Sequence, residues 1–362
     1  MSPTTEDSST STSTPSSSYC ISLKDVKDAA KRIHGIAHKT PVLTSQSLID
    51  CTDGKRYFFK VEAMQKTGSF KFRGALNAVK SELETYDGGP SMPVVTHSSG
   101  NHAQALALAS KMASTAVTTV NATIVMPNNA PLVKKAAVQD FGAEIVMVEN
   151  TNEAREEEAD RIVETTGAKF VHPSEDPRVI AGQGTVCLEF VEQVREIAGK
   201  DLDAVIIPVG GDGLASGNII CLRGLLGDKV KIILAEPSEL DDAKRSFTEG
   251  KLLKHSPDNQ LNSVADGLKT TLGPNTWPVV RDLVDDIFTV SEEEILRATK
   301  LVWERLKVAI EPSAGVGVAV ARNTEFNQKY TRDKGIENVG IILCGGNVDI
   351  IKIASMMKDI GL

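Results

Sequence analysis

The chain has 362 residues, 41% hydrophobic and 24% charged, with a formal net charge of −8. This length covers two modest domains or one large α/β unit, and the acidic balance without a long basic block excludes a nucleic-acid surface. No apolar run reaches membrane-spanning length, so no membrane partner is expected.

Residues 1–19 are dominated by Ser, Thr and Pro and read as a disordered tail. Glu6 and Asp7, with no arginine and no apolar stretch, make it neither a secretory signal nor a transit peptide. Ser22 opens an amphipathic helix that runs to Ile36. Tyr57–Val61 reads as a strand, and Val94–Thr96 as a short one ending at His97-Ser98-Ser99-Gly100-Asn101. A helix follows from Ala103 to Met112, and Ser114–Asn121 reads as a loop. Ala122–Met126 is a strand closed by Pro127, Ala130–Phe141 a helix, Glu144–Val148 a strand. Asn152–Thr166 is a charged helix and Lys169–His172 a strand. Ala204–Val209, Lys231–Ala235 and Val339–Leu343 are continuous apolar runs, the mark of strands buried on both faces. Alternating strands and helices predict parallel sheets covered by helices, with ligands at the carboxyl ends of strands.

Lys71 is the most telling side chain. It sits between Phe70 and Phe72 in Lys66-Thr67-Gly68-Ser69-Phe70-Lys71-Phe72-Arg73-Gly74-Ala75. A partly desolvated ammonium loses its proton more easily and becomes an amine nucleophile, as Schiff-base chemistry needs. Gly210-Gly211-Asp212-Gly213-Leu214 follows a strand and precedes a helix. Such a turn suits a phosphate on converging N–H groups, or simply a tight connection. The Asp212 carboxylate would repel a phosphate unless it points away. His97–His102 suits a substrate carboxylate at a helix start, and equally a serine N-cap. Leu343-Cys344-Gly345-Gly346-Asn347 offers a thiol and an amide after a strand, or a plain buried cysteine. Glu236, Asp241 and Asp242 suit a hard divalent cation or an acidic first helical turn. Cys20, Cys51, Cys187, Cys221 and Cys344 are odd in number and lack CxxC spacing. This fits a reducing compartment, and the expected localisation is cytoplasmic.

Together the runs 66–75, 98–104 and 343–349 resemble the fold-type II pyridoxal-phosphate enzymes. Within these, the chain is similar to the serine racemase and serine/threonine dehydratase family, from Ile21 to the C-terminus. The segment from Ala265-Asp266-Gly267 through Asn275-Thr276-Trp277-Pro278 to Asp285–Val290 resembles the racemase branch more than dehydratases generally. The resemblance implies an α/β fold of the tryptophan synthase β type: two parallel-sheet domains with the cofactor between them. Residues 20–92 and 182–362 would form the large, cofactor-binding domain and 93–181 the small one.

Carried over residue by residue, the resemblance makes Lys71 and Ser99 the catalytic pair, moving protons on opposite faces of Cα. Phe70, Lys71 (through an aldimine), Asn101, Gly210, Gly211, Asp212, Gly213, Leu214 and Cys344 would hold pyridoxal 5′-phosphate. Ser98, Ser99, Gly100, Asn101 and His102 would bind the substrate carboxylate. Glu236, the Leu240 carbonyl and Asp242 would hold Mg²⁺, Ca²⁺ or Mn²⁺. Lys66, Thr67, Gln104 and Ala143 resemble parts of an allosteric ATP site at a homodimer interface. Three positions depart from the pattern: Asp212 replaces a glycine, Met147 an aromatic and Cys344 a serine. The implied activity is conversion of L-serine to D-serine with β-elimination to pyruvate and ammonia. Alternatives are a dedicated L-serine/L-threonine ammonia-lyase, a hydroxyaspartate dehydratase or a non-catalytic cofactor-binding protein.

Overall fold

The computed structural model describes residues 19–48, 54–130, 132–256 and 261–362. The expected tail over 1–18, and Cys51, lie outside the described residues. Tyr19, read as part of the tail, packs with Cys20 against the main apolar core.

In chain order the strands are β1 (Val42–Thr44), β2 (Arg56–Val61), β3 (Ser91–His97), β4 (Thr119–Pro127), β5 (Glu144–Val148), β6 (Lys169–Phe170), β7 (Ala204–Pro208), β8 (Lys231–Pro237), β9 (Asp286–Val290) and β10 (Asn338–Leu343). The helices begin with α1 (Leu23–Ile33), α2 (Lys71–Thr85), α3 (Asn101–Ala113), α4 (Leu132–Asp140), α5 (Asn152–Thr166), α6 (Pro177–Ala198) and α7 (Gly213–Leu226). They continue with α8 (Asp242–Glu249), α9 (Trp277–Leu283), α10 (Glu292–Arg305), α11 (Pro312–Arg322), α12 (Thr324–Lys329) and α13 (Ile350–Asp359).

Two sheets result. The larger has the order β1-β2-β10-β7-β8-β9 and the smaller β5-β4-β3-β6. All pairs are parallel except β1 with β2. β10 is central: Ile341 lies opposite Phe59 of β2 on one side and Ile206 of β7 on the other. Every residue of β7 and β10 is buried, which explains their unbroken apolar character. The smaller sheet takes its strands from Ser91 to Phe170. The expected divisions at 93 and 181 therefore fall inside β3 and α6. Among the described residues no helix is long and apolar enough to cross a membrane.

Several boundaries differ from the sequence expectation. Thr119–Asn121 belongs to β4 rather than a loop. Val120 and Ala122 point inward while Thr119 and Asn121 are exposed, so polar alternate positions hid a half-buried strand. Helix α1 ends at Ile33, with His34 as its C-cap, and α3 starts at Asn101. Strand β6 stops at Phe170 because His172 turns its ring onto the following loop.

Helices α2 and α6 carry Gly74 and Gly182 in their interiors, where glycine disfavours helix. Packing demands them. A Cβ on Gly182 would stand 2.6 Å from the Gly74 Cα, and one on Gly74 would stand 2.7 Å from the Val179 carbonyl. This close crossing lets the fully buried Arg73 reach two carboxylates. Its guanidinium donates to Glu62 at 2.8 and 2.8 Å and to Glu189 at 2.8 and 2.9 Å. Arg73 thereby pins the first turn of α2, which begins with Lys71, to the turn after β2 and to α6.

Candidate active site

Several loops meet around Lys71, and most leave the carboxyl end of a strand. Lys71 is half-buried and its Nζ donates to the Pro173 carbonyl at 2.8 Å, on the loop after β6. The Phe70 ring lies under it, 5.2 Å from Nζ to centroid. Phe72 instead faces the apolar core of the smaller sheet. Burial pushes the Lys71 ammonium down to about 8, against the opposing charges of Cys344 and Glu311.

The loop after β10 is stitched to the segment before α2. Phe70 N donates to the Cys344 carbonyl at 3.1 Å, and Gly346 N to the Gly68 carbonyl at 2.9 Å. Cys344 is buried, and desolvation, then the Glu311 carboxylate, pushes its thiol well up. It is a neutral group at physiological pH.

Asn101, the first residue of α3, is held from two sides. Its amide donates to Glu311 at 3.1 and 3.2 Å, and its carbonyl accepts from Asn347 Nδ2 at 2.8 Å. Serine does not cap this helix: the N-cap is Gly100, with no side-chain hydrogen bond. Ser98 Oγ accepts from Gly100 N at 3.2 Å. Ser99 is half-buried, and its hydroxyl has no hydrogen-bond partner among the described residues. His102 is buried and points its Nε2 at the Val171 carbonyl, 3.2 Å away. Burial, then the Lys71 charge, holds its imidazole well below the usual range.

At α7 the N-cap is Asp212, left-handed at φ 66°, again without a side-chain cap bond. Ser174 crosses this turn so closely that a Cβ on Gly213 would stand 2.9 Å from its carbonyl oxygen. The Asp212 carboxyl turns along α7 to accept from Ser216 Oγ at 3.3 Å. It feels the charges of Glu175, Glu236 and Asp242 and, burial first, is pushed well up. Two uncapped helix starts thus flank a desolvated amine, an arrangement for a ligand with two anionic groups and a carbonyl.

The sequence pattern of the family described as "Pyridoxal-phosphate dependent enzyme" matches residues 33–345. The chain belongs to the pyridoxal-phosphate-dependent enzymes. It is 47% identical to the serine racemase of Rattus norvegicus over 339 residues, 93% of this chain and 96% of that one. The solved serine racemase of Dictyostelium discoideum superposes with a TM-score of 0.80 at 44% identity, covering 91% of this chain and all of its own. A solved T.th. threonine deaminase superposes with a TM-score of 0.79 at 38% identity, covering 91% of this chain and 99% of its own. The fold is that of the fold-type II pyridoxal-phosphate enzymes, α/β with one mixed and one parallel sheet.

The residues present fit pyridoxal phosphate. Buried polar atoms without partners, Thr67 Oγ1, Ser69 Oγ and His102 Nδ1, sit on the segments around Lys71, which supplies the amine. The residues expected to hold a cation lie on β8, the turn after it and α8. Glu236 lies one residue before the end of β8 and accepts from Ala243 N and Lys244 N at 2.9 Å each; Leu240 lies in the next turn and Asp242 opens α8. Both carboxylates are buried, and burial pushes Glu236 well up and Asp242 to about 6. Two buried acids and a carbonyl, with no lysine or arginine side chain among the described residues bonded to either carboxylate, suit a hard cation. Of the residues expected to bind a nucleotide, Lys66 and Thr67 form a turn against which α3, the helix of Gln104, packs. Ala143, just before β5, lines a cleft with Ala107, Ser110 and Lys111 of α3. Met147 is exposed on β5.

Three groups at the centre have no sequence signal of their own. Glu311 is remote from every motif and enters through the turn before α11. Pro173 contributes only its carbonyl. His172 Nδ1 accepts from Ser174 N and Glu175 N at 3.1 and 2.9 Å and so shapes the loop that holds Lys71.

Proposed function

We propose that the chain is a serine racemase that interconverts L- and D-serine and also eliminates serine to pyruvate and ammonia. The observation that carries this reading is a pair of proton-carrying groups on two segments that Asn347 ties together through the Thr67 carbonyl and Asn101 Oδ1. Lys71 offers an amine lowered to about 8, and Ser99 a hydroxyl with no partner among the described residues. Bound pyridoxal phosphate supplies the electron sink that makes the Cα proton acidic. Lys71 Nζ takes that proton on one face and Ser99 Oγ returns one on the other. Lys71 and Ser99 are therefore the catalytic residues of the proposal.

The N–H groups of the α3 start, with Ser98, Gly100, Asn101 and His102, orient the substrate carboxylate. The turn Gly210, Gly211, Asp212, Gly213 and Leu214 takes the cofactor phosphate, with the Asp212 side chain directed along α7. Asn101 would hold the cofactor's ring oxygen, Phe70 would pack on its ring, and the Cys344 thiol would serve as a neutral partner for the ring nitrogen. A neutral partner weakens the electron sink while still permitting racemisation and β-elimination.

Glu236, the Leu240 carbonyl and Asp242 hold Mg²⁺, Ca²⁺ or Mn²⁺ in this proposal. Lys66, Thr67, Gln104 and Ala143 form part of an ATP site at a homodimer interface. The two sheets act as two domains with the cofactor between them. Free cysteines at 20, 187, 221 and 344 support a cytoplasmic setting.

The test is to incubate the enzyme with L-serine and assay D-serine and pyruvate in the same tube. Wild type makes both, and Lys71→Ala makes neither. Ser99→Ala keeps pyruvate formation and loses D-serine. D-serine formation at the wild-type rate in Ser99→Ala overturns the two-face assignment. The similarity to a threonine deaminase favours a second reading, a dedicated ammonia-lyase. Pyruvate without D-serine from the wild type establishes that reading instead.

A further inference from the structure

In the proposed function Asn101 meets the cofactor's ring oxygen, and a primary amide can do so with either end. Its neighbours decide which. Asn101 opens α3 and lies between Asn347, on the loop after β10, and Glu311, the residue that caps the start of α11.

The direction is set at a backbone carbonyl. Asn347 Nδ2 donates to the Thr67 carbonyl at 2.7 Å. A carbonyl only accepts, so this contact fixes the NH₂ end of Asn347. The same nitrogen stands 2.8 Å from Asn101, and the atom that meets a donor there is Oδ1. The NH₂ end of Asn101 is thereby turned the other way, onto the Glu311 carboxylate at 3.1 and 3.2 Å. Every bond from Thr67 through Asn347 and Asn101 to Glu311 runs in one sense. Reversing either amide would set two donors or two acceptors face to face.

Both ends of this chain are built into the backbone. Thr67 has φ 60°, a left-handed conformation that a β-branched residue adopts only under constraint. Gly68 follows at φ 72°, and a Cβ there would run into the Asn347 amide. At the other end Glu311 is 4% exposed, and its backbone N–H donates to the Gly345 carbonyl at 3.0 Å. A Cβ on Gly345 would stand 2.7 Å from Glu311 Oε1, so glycine at that position leaves room for the carboxylate. The two oxygens of one carboxylate lie too close together to take one amide hydrogen each. One hydrogen of Asn101 Nδ2 serves Glu311, and the second is left for a ligand.

We propose that Glu311 and Asn347 are positioning residues that set the polarity of Asn101, so that it offers a donor and never an acceptor to the ring oxygen of pyridoxal phosphate. This rests on the reading of Asn101 in the proposed function and deepens it. A donor favours the deprotonated ring oxygen, the form of the bound cofactor that absorbs in the visible. An acceptor favours the protonated form, which absorbs in the near ultraviolet.

The experiment reverses the chain at constant net charge. The double variant Glu311→Gln/Asn347→Asp moves the carboxylate from one side of Asn101 to the other and keeps both side-chain sizes. The two single changes alter the local charge in opposite senses, so an effect of charge alone largely cancels. The Asn101 amide then turns over. The ratio of the visible to the near-ultraviolet band of bound pyridoxal phosphate is expected to fall about fivefold, the equivalent of one ordinary hydrogen bond. Asn101→Ala tests the underlying reading. A wild-type ratio in that variant overturns the ring-oxygen role of Asn101 and the proposal with it. A changed ratio there, with a wild-type ratio in the double variant, overturns the proposal alone. Asn347 is exposed, so Asn347→Asp by itself is expected to fold and to lower the ratio. A wild-type ratio in it overturns the proposal even where the double variant does not fold.

Discussion

Replacing Arg73 with methionine isolates what holds Lys71 in place. Arg73 and Glu62 are both fully buried, and the guanidinium makes paired bonds to Glu62 and Glu189. Methionine fills similar volume and removes the charge. Glu62 is left with the Thr40 hydroxyl at 2.5 Å, while Glu189 keeps Lys60 at 2.7 Å. Breaking a buried pair from one side costs about 3–5 kcal/mol, because the abandoned charge stays desolvated. With about 2.1 cal/mol/K of unfolding entropy per residue, that cost lowers Tm by about 4–7 °C in a chain of 362 residues. Calorimetry on the cofactor-free protein measures it. The visible absorbance of added pyridoxal phosphate reports whether Lys71 still captures the cofactor, and it is expected to fall. The double variant Glu62→Leu/Arg73→Met should recover more than half of the lost Tm, since no orphaned carboxylate remains at position 62. A Tm within about 1 °C of wild type in Arg73→Met, or no recovery in the double variant, refutes the account.

Capture of pyridoxal phosphate by the cofactor-free protein should speed up with pH around a midpoint of about 8, because only the neutral Lys71 amine reacts; a flat stopped-flow profile argues against this. The folded value lies below the ordinary lysine value of 10.5, so the unfolded chain binds more protons between the two. Stability of the cofactor-free protein therefore rises with pH across that window, which chemical denaturation at several pH values checks. Glu311→Gln removes a charge that raises the Lys71 value, so the capture midpoint should move down; an unmoved midpoint removes Glu311 from the site's electrostatics. Gly74→Ala places a Cβ 2.7 Å from the Val179 carbonyl and should cost about 1–3 kcal/mol by overpacking; an unchanged denaturation midpoint shows that α2 and α6 separate freely.

The legible parts of this chain are those whose physics is local. Ala204–Pro208 and Asn338–Leu343 are buried on both faces, so their apolar runs reveal strands directly. Lys71 stands out because a lysine between two aromatics is unusual, although only Phe70 lies against it. Helices α2 and α6 are harder to see because Gly74 and Gly182 answer to each other across a long stretch of sequence. Glu311 carries no motif; what matters is the company it keeps after folding. Asp212 shows the limit most clearly. Its sequence position suggests a charge aimed at a phosphate, and only the backbone angle and the Ser216 contact show the carboxyl running along α7.

The central place of β10 also governs the order in which the molecule can be completed during synthesis. β2 and β7 do not touch in the sheet order; β10 lies between them. Phe70, next to Lys71, bonds to the Cys344 carbonyl at the end of that strand. A ribosome that has made everything up to Gly335 has therefore produced every charged group that the proposed chemistry uses, but left Lys71 unanchored on one side. The stretch from Asn338 onward therefore completes the larger sheet and supplies the Cys344 carbonyl that fixes Phe70 beside Lys71.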